Sequence, residues 1–190
     1  MSLSADNLLI NSDTVISASD TTYDGHIVTI NGATVTIEGF HTFAELHLIN
    51  SAVLTHAPAV EGQHVGIDVT ANTIVIDKNS KIDVTGKGYL PNSSISTSGS
   101  GSHGGAAGAA EGRTTNPLYG SLHEPQAFGI GGRNGSSPDG DEKNRRGGGA
   151  IKIIADTLTV DGTIAADGLD RSSGIDGAGA GGSIWLNVGL

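Results

Sequence analysis

The chain contains no cysteine, which excludes disulfide bonds, thiolate nucleophiles and thiolate metal sites. Cationic side chains are also few. The 10 Lys and Arg residues stand against 20 Asp and Glu, so the formal net charge is −10 and a phosphate backbone would be repelled. We therefore expect no nucleic-acid partner. No apolar stretch approaches the roughly 18 residues that a transmembrane helix needs, so no membrane span is expected either.

Aromatic side chains are scarce as well, with three Phe, three Tyr and one Trp among 190 residues. Glycine is abundant at 30 residues, and the apolar segments are rich in Val, Ile and Ala, which favours stacked strands over helices. No linker-like segment divides the chain, so residues 1–190 are interpreted as one domain. The first residues lack the basic and apolar pattern of a signal peptide, and we interpret the domain as a module of a larger secreted chain.

Five segments of similar sequence recur along the chain and determine the expected fold. They are anchored at Ile10, Ile30, Ile49, Val69 and Ile153, so that steps of 20, 19, 20 and 84 residues separate them. Each segment alternates apolar and polar residues, which is the pattern of a half-buried strand. Self-similarity at this period is typical of a solenoid, in which stacking buries the apolar face that a single repeat cannot bury alone.

The sequence therefore predicts an all-β fold, a single-stranded parallel β-helix of about six coils. The preference of parallel crossover connections favours a right-handed coil. The fifth residue after each anchor is aliphatic and is expected to face inward in a stacked column: Val15, Val35, Leu54, Ile74 and Leu158. The residue directly after the anchor is asparagine in three repeats, which predicts a ladder of amide hydrogen bonds between coils: Asn11, Asn31 and Asn50.

Two glycine-rich insertions interrupt the repeats, at about residues 86–149 and 168–182. Both follow a short third strand, so they should emerge one above the other at the same edge of the stack. Glycine occupies 17 of the 64 positions of the first insertion, which allows two interpretations: a disordered flap, or a compact loop in which glycine permits close backbone packing. The apolar residues of segment 117–128 favour the compact loop.

A series of short motifs follows the same order as in a known group of proteins. The motifs are Ser102-His-Gly-Gly, Tyr119-Gly-Ser-Leu, Phe128-Gly-Ile-Gly-Gly, Gly147-Gly-Gly-Ala-Ile-Lys-Ile, Leu158-Thr-Val-Asp-Gly-Thr-Ile-Ala-Ala-Asp-Gly and Gly179-Ala-Gly-Gly-Ser-Ile-Trp-Leu. Together they resemble the glycine-rich β-helical segments of large secreted and cell-surface bacterial proteins of adhesin type, over roughly residues 100–188. The resemblance implies a secreted or cell-surface location and a role in adhesion, carbohydrate contact or scaffolding. It brings no catalytic residues with it.

Several side chains of the insertion edge are candidates for ligand binding. Tyr119 and Trp185 could stack against a sugar, although Trp185 could instead cover the open end of the last coil. The polar candidates are His103, His123, Arg113 and Arg133. Right-handed β-helices resemble pectate lyases, and a lyase would draw its base and its cations from this same group together with Arg145, Arg146 and Lys152. No motif fixes such a geometry, and no glycosidase carboxylate pair stands out.

Clustered carboxylates offer a candidate Ca²⁺ site, formed by Asp139, Asp141, Glu142, Asp167 and Asp170. Asp-Gly pairs are also ordinary turn formers, so a turn is the alternative interpretation. A second metal hypothesis concerns His47 and His56, which fall at inward positions of one coil in the repeat alignment, with His41 and His64 near them in sequence. The alternative is a local bulge that turns one or both outward.

The leading functional hypothesis is an extracellular, non-enzymatic module that contacts a glycan or a cell-surface protein through its glycine-rich edge. Neighbouring domains of a longer chain are further expected partners. The two alternatives are a polysaccharide-active, lyase-like enzyme or a fragment of one, and a purely structural stalk segment. A cleft lined by converging acids and bases would favour the enzyme, whereas exposed aromatic rings on an open face would favour the binding module.

Overall fold

The computed structural model describes residues 5–60, 65–91, 102–105, 117–132, 145–170 and 177–189. Within these ranges the chain is all β, without an α-helix, and so without a helix that is long and apolar enough to span a membrane. The strands are β1 (Asn7–Ile10), β2 (Thr14–Ile16), β3 (Ile27–Asn31), β4 (Thr34–Ile37), β5 (Gly39–Ile49), β6 (Val53–Thr55), β7 (Ile67–Ile76), β8 (Lys81–Asp83), β9 (Ala150–Val160), β10 (Thr163–Ala165) and β11 (Ser183–Val188).

Successive strands alternate between two sheets. The odd-numbered strands form a six-stranded sheet in the order β1-β3-β5-β7-β9-β11, and the even-numbered strands form a five-stranded sheet in the order β2-β4-β6-β8-β10. Every neighbouring pair in both sheets is parallel. The predicted all-β architecture with parallel strands is therefore confirmed.

The core is aliphatic, because alternate residues of the strands project between the sheets. The buried side chains include Ile30, Ile37, Leu48, Leu54, Ile76 and Ile82. Each fully buried side chain of this kind contributes about 1.5–3 kcal/mol through removal of apolar area from water. With so few aromatic residues, the stacking of branched aliphatic side chains from strand to strand supplies most of the core.

The predicted inward column is correct for Val35, Leu54 and Ile74, which are buried, and Leu158 is partly buried at its end. It is wrong for Val15, whose side chain is 64% exposed. Val15 lies beside Thr36 of β4 in the structure, one residue out of step with the sequence alignment. A shift of one residue turns a side chain to the opposite face of a strand.

The repeat alignment is also wrong in its later steps. Ile10 does pair with Ile30, but Ile30 then pairs with Leu48 and not with Ile49. Val69 and Ile153 belong to a different position, since Val69 pairs with His41. The residues that share one register are Ile10, Ile30, Leu48, Ile76 and Val160. In β7 and β9, apolar and polar residues alternate over most of the strand. A comparison of short segments therefore could not decide which half of these strands corresponds to the anchors of the earlier repeats.

The long strands β5, β7 and β9 each contain two sections. In β7, Asn72 and Thr73 both project away from the core between the buried Ala71 and Ile74, which interrupts the alternation. Two successive outward residues require a local change of strand direction. In β5 only the second section, residues 45–49, pairs with β3. In β9 only the first section, residues 150–155, pairs with β11. The first sections of β5, β7 and β9 therefore form, together with β11, one part of the six-stranded sheet, and the second sections form another part with β1 and β3.

The predicted asparagine ladder is confirmed for one pair of repeats. Asn50 Nδ2 donates a hydrogen bond to Asn31 Oδ1 at 2.8 Å. Asn50 itself adopts a left-handed conformation with a φ of 58°, which asparagine tolerates better than most residues. Its backbone N–H donates to Asp77 Oδ2 at 2.8 Å. The turn after β5 is thus fastened to the strands on both sides.

The two insertions leave the sheets after β8 and β10, which pair with each other, so both begin beside one another in the five-stranded sheet. Their described glycine-rich segments pack backbone against backbone. Gly129 N–H donates to the Gly148 carbonyl at 2.8 Å, and Gly148 N–H donates to the Ala180 carbonyl at 2.9 Å. A Cβ atom at Gly148 would lie 1.9 Å from the Ala166 carbonyl oxygen. In the described segments, the compact-loop interpretation is therefore the correct one.

A second apolar cluster fastens the first insertion to the sheets. Phe128 and Ile130 of the insertion are buried against Tyr89 and Ala150, and Tyr119 packs against the same cluster. The rings of Tyr89 and Phe128 meet edge to face at 5.7 Å, a favourable geometry for aromatic pairs. This cluster holds the segment 117–132 in place beside the first section of β9.

Candidate functional site

Four side chains form an outward-facing row across the first sections of the long strands. Phe40 of β5 lies beside Asp68 of β7, Asp68 beside Lys152 of β9, and Lys152 beside Trp185 of β11. The residues that flank Asp68 and Lys152 in their own strands are buried, so the alternation of the strands turns these two side chains outward. We call Phe40, Asp68, Lys152 and Trp185 the outer row.

A groove lies beside the outer row, where the first insertion meets the sheet. Its volume is about 250 Å³, and its lining includes Phe40, Val65, Asp68, Gln126, Ile151 and Lys152. Gln126 comes from the insertion and is exposed, whereas the other lining residues come from the strands and the connection before β7. The packing of the insertion through Phe128 therefore places Gln126 in the lining of the same groove as the charged pair of the row.

The groove contains an ion pair. Lys152 Nζ donates to Asp68 Oδ2 at 3.0 Å, and the same ammonium lies 5.5 Å from the centroid of the Trp185 ring, a cation–π contact. The second carboxylate oxygen, Asp68 Oδ1, is buried and accepts no hydrogen bond. An acceptor buried without a partner costs about 1–3 kcal/mol. Asp68 thus keeps one buried oxygen without a hydrogen bond, beside a cation that is already paired.

The two rings of the row differ in availability. Trp185, which the sequence singled out, is half-buried, with the Lys152 ammonium over its ring. Phe40, which sequence reasoning missed, has a side chain that is 56% exposed at the rim of the groove. Phe40 precedes the buried His41 in β5, and alternation along the strand therefore turns the Phe40 side chain outward. This alternation is the sequence signal that could have identified Phe40. Phe40 is the more accessible ring for stacking.

Tyr119 and His103 lie together, away from the lining of the groove. The Tyr119 hydroxyl donates to the Phe128 carbonyl, and burial raises the pKa of this phenol well above its usual range, as does the neighbouring Tyr89. The His103 ring packs against that of Tyr119 with centroids 5.1 Å apart, and His103 Nδ1 donates to the Gly181 carbonyl at 3.0 Å. His103 thus fastens the insertion to the segment before β11, whereas the Tyr119 hydroxyl bonds within the insertion.

His103 also forms the one described contact that resembles a nucleophile and base pair, since its Nε2 lies 3.3 Å from Ser183 Oγ. The Ser183 side chain is buried, however, and its hydroxyl donates to the Ala127 carbonyl at 2.7 Å. A substrate could not reach it in this arrangement. His123 lies in the exposed segment 121–124, and its backbone N–H donates a hydrogen bond to Ser121 Oγ at 3.3 Å.

The described arginines are used in the packing of the insertion. Arg146 Nη1 donates to the carbonyls of Ala59 and Gly88 at 3.0 and 2.8 Å, and burial lowers the pKa of this guanidinium. Arg145 is buried. Arg113 and Arg133 lie outside the described residues. Arg146, as described, therefore does not supply a free guanidinium beside an accessible base, which a lyase would require.

The described histidines near the predicted metal position have separate partners. His41 is buried and places Nδ1 3.1 Å from Asp24 Oδ1, while His47 Nε2 lies 2.8 Å from Glu45 Oε2 at the surface. The inward position predicted for His47 is wrong, because His47 pairs with Thr29 in an outward register. The inward position predicted for His56 is confirmed. His64 lies outside the described residues.

His56 joins β6 to the start of β9. Its Nδ1 donates to the Ala57 carbonyl at 2.7 Å, its Nε2 accepts from the Ala150 backbone N–H at 3.3 Å, and its ring meets Phe128 edge to face at 5.3 Å. Burial lowers the pKa of His56 to about 4, the nearby Lys87 acts in the same direction, and the bond to Ala57 opposes them. His56 is therefore a neutral, structural imidazole at neutral pH.

The predicted Ca²⁺ ligands fall into two groups. Asp167 and Asp170 are exposed on the segment after β10, whereas Asp139, Asp141 and Glu142 lie outside the described residues. Across residues 5–60, 65–91 and the other described ranges, no three His, Asp or Glu side chains are grouped so that they could hold a metal ion. Calcium binding through the complete set stays a prediction.

Comparisons of the chain with models of protein families, with curated proteins and with solved structures give no match. Function must therefore be inferred from the residues of the groove. They offer an accessible aromatic ring, a carboxylate with an unused oxygen, a side-chain amide and an ammonium that is already paired. This combination suits a ligand with hydroxyl groups at its edge and an apolar face.

Proposed function

We propose that the chain is an extracellular binding module that contacts a glycan through the groove between the outer row and the glycine-rich insertion. The observation that carries this proposal is the placement of an exposed Phe40 next to Asp68 in a groove that Gln126 also lines. A pyranose ring has an apolar C–H face that can cover an aromatic ring, and hydroxyl groups that bond to carboxylate and amide.

The proposed architecture of this module is a right-handed, single-stranded parallel β-helix of about six coils. It is supported by the strict alternation of successive strands between two parallel sheets and by the two sections of the long strands, which would form separate sides of each coil. The resemblance of residues 100–188 to segments of secreted bacterial adhesins supports placement at the cell surface and attachment to neighbouring domains of a longer chain.

A cell-surface protein is the second candidate partner, and one observation favours it. Three apolar side chains near the groove are largely exposed, namely Phe40, Val60 and Val65. Val65 lines both the groove and a smaller cavity of about 110 Å³ formed with Pro58 and Val60. Contiguous exposed apolar surface is a common mark of interaction sites. A lyase-like activity is less well supported, because two of its described candidate cations, Arg146 and Lys152, are engaged in packing and in an ion pair.

The experiment that tests glycan binding uses Trp185, the one tryptophan of the chain, as a reporter in the outer row. Its fluorescence is followed while neutral and acidic oligosaccharides are added, with calorimetry as a second readout. Phe40→Ala should weaken binding about tenfold, because it removes the stacking ring. Leu9→Ala is the matched control, since Leu9 is a similarly exposed apolar residue on β1, outside the groove lining.

Two results would count against the proposal. One is that no member of the panel changes the Trp185 signal or produces heat. The other is that a glycan binds with the same affinity to the wild type and to Phe40→Ala. Binding of a surface protein that is lost in Phe40→Ala, without glycan binding, would favour the second candidate partner. An absence of any ligand would leave the stalk segment as the remaining function.

A further inference from the structure

The charge arrangement of the groove indicates which class of glycan fits it. We infer that the groove takes an uncharged sugar unit and discriminates against uronic and other acidic sugars. The inference rests on the proposed function, since it concerns the ligand of that same groove. It is carried by the pairing of Lys152 with Asp68 and by the unused second oxygen of Asp68.

The charge of the groove's cation is already offset by a carboxylate. Lys152 is the one cationic side chain among the described residues that line it, and its ammonium lies 3.0 Å from Asp68 Oδ2 and over the Trp185 ring. A sugar carboxylate would need a free ammonium or guanidinium to offset its loss of hydration. In the groove it would instead approach Asp68, in a chain whose formal net charge is −10. An acidic sugar is therefore disfavoured.

The acceptor of the groove requires a donor. An ionised carboxylate only accepts hydrogen bonds, and Asp68 Oδ1 has no donor in the described protein. Oδ1 is buried in this conformation, and because the χ2 torsion of aspartate is broad and twofold, a rotation that exchanges the two oxygens would bring Oδ1 to the groove and Oδ2 to the buried position. Sugar hydroxyls are neutral donors, and a bond from a hydroxyl to a carboxylate is stronger than a bond between neutral groups. A neutral sugar thus supplies what Asp68 lacks.

A cationic amino sugar would also be attracted to Asp68, but it would bring a second ammonium next to Lys152. Two like charges that share one carboxylate oppose each other, and Lys152 is held in position by both Asp68 and Trp185. The groove volume of about 250 Å³ is below the range of roughly 300–1,000 Å³ typical of drug-sized ligands. It suits a single sugar unit, with the rest of the glycan on the open surface.

The test compares trisaccharides that differ in one charged group per sugar: glucose, galactose and mannose trimers against the corresponding uronic-acid trimers, and the glucose trimer also against the glucosamine trimer. Affinities are measured by Trp185 fluorescence and by calorimetry, at low and at high NaCl concentration. At least one neutral trimer should bind at least about tenfold more tightly than its acidic and cationic counterparts. Its affinity should change little with salt, because no net charge is exchanged.

The role of Asp68 is tested with Asp68→Asn, which keeps the shape of the side chain and removes the charged acceptor. Binding of the neutral trimer should weaken about ten- to hundredfold, since a hydrogen bond to a charged group is lost. Asp156→Asn is the matched control, because Asp156 is an exposed carboxylate of β9 outside the groove lining. If Asp68→Asn fails to fold, Gln126→Ala replaces it, as Gln126 is exposed and lines the groove.

The outcomes separate this inference from the proposed function. Tighter binding of acidic or cationic trimers, with loss of affinity in Phe40→Ala, would overturn the inference and leave glycan binding intact. Neutral binding that is unchanged both in Asp68→Asn and in Gln126→Ala would overturn the assignment of the polar contacts. Failure of every trimer to bind, whatever its charge, would overturn the proposed function itself and this inference with it.

Discussion

Protonation of the buried His56 should destabilise the protein as the pH falls from 6.5 to 4. The neutral ring uses both nitrogens, one as donor to the Ala57 carbonyl and one as acceptor from the Ala150 N–H. A proton on Nε2 would face that N–H and would place a charge where water has no access. Desolvation therefore lowers the pKa of His56 from 6.5 to about 4 in the folded state.

The sign of the pH dependence follows from this lowered pKa. Below pH 6.5 the unfolded chain binds a proton at His56 and the folded protein does not, so acid favours unfolding. The stabilising contribution is fully present above pH 6.5 and is lost as the pH falls to the folded pKa. The two pKa values correspond to a loss of about 3 kcal/mol by pH 4, of which about 1.4 kcal/mol is lost by pH 5.5.

The assay is urea unfolding of the wild type and of His56→Gln, at several pH values across this range. Glutamine does not titrate and offers both a donor and an acceptor. The carboxylates titrate in both proteins, so the difference between the two unfolding free energies isolates His56. That difference should shrink by about 3 kcal/mol between pH 7 and pH 4. A constant difference, or an NMR titration of the His56 ring with a midpoint near 6.5, would refute the reasoning.

Three further predictions concern packing. Gly148→Ala should destabilise the protein by at least about 2 kcal/mol, since its Cβ would lie 1.9 Å from a carbonyl oxygen, whereas Gly105→Ala, with nothing within 4 Å, should change stability by less than about 0.5 kcal/mol. Tyr119→Phe should cost about 1 kcal/mol in urea unfolding without a change in glycan affinity. Ile153→Ala should cost about 3 kcal/mol, whereas Leu186→Ala, at the paired position of β11, should cost only about 1 kcal/mol, because Leu186 is 42% exposed. Equal costs would contradict the exposure of β11 at the end of the sheet.

The strands and their parallel pairing could be predicted because alternation is a local property of the sequence. Segments such as β3 and β4 alternate apolar and polar residues without interruption, and their burial follows that pattern. The neighbouring positions at which the insertions begin could be predicted for the same reason, since β8 and β10 are recognisable as equivalent short strands. The strands, their parallel pairing and the positions where the insertions begin could each be predicted by comparing one repeat with the next.

The register could not be predicted with the same success. Ile49 was aligned with Ile30, although Leu48 takes that position, and Val69 was aligned where Ile76 belongs. In a long alternating strand, several registers bury a similar number of aliphatic side chains, and the change of direction at Asn72 has no distinctive sequence signal. The choice is made by stacking against the neighbouring strands, which a local pattern does not contain.

The candidate site has few residues in common with the sequence-based candidates. Trp185 was proposed as a ring that could stack against a sugar, but Phe40, Asp68 and Gln126 were missed. They become neighbours through pairing between strands that lie far apart in sequence, and through the packing of Phe128. Tyr119 was a reasonable candidate for stacking, yet its hydroxyl and ring are engaged in fastening the insertion.

The central claim is that a glycan binds in the groove beside the outer row. The most direct measurement is a two-dimensional NMR titration of the isotope-labelled protein with the neutral trisaccharide of highest affinity. The account predicts that the perturbed signals cluster at Phe40, Asp68, Gln126, Lys152 and the Trp185 indole, and that Phe40→Ala reduces the perturbation at equal, subsaturating ligand concentration, as a tenfold loss of affinity requires. Perturbations confined to other parts of the chain, or no perturbation at all, would contradict it.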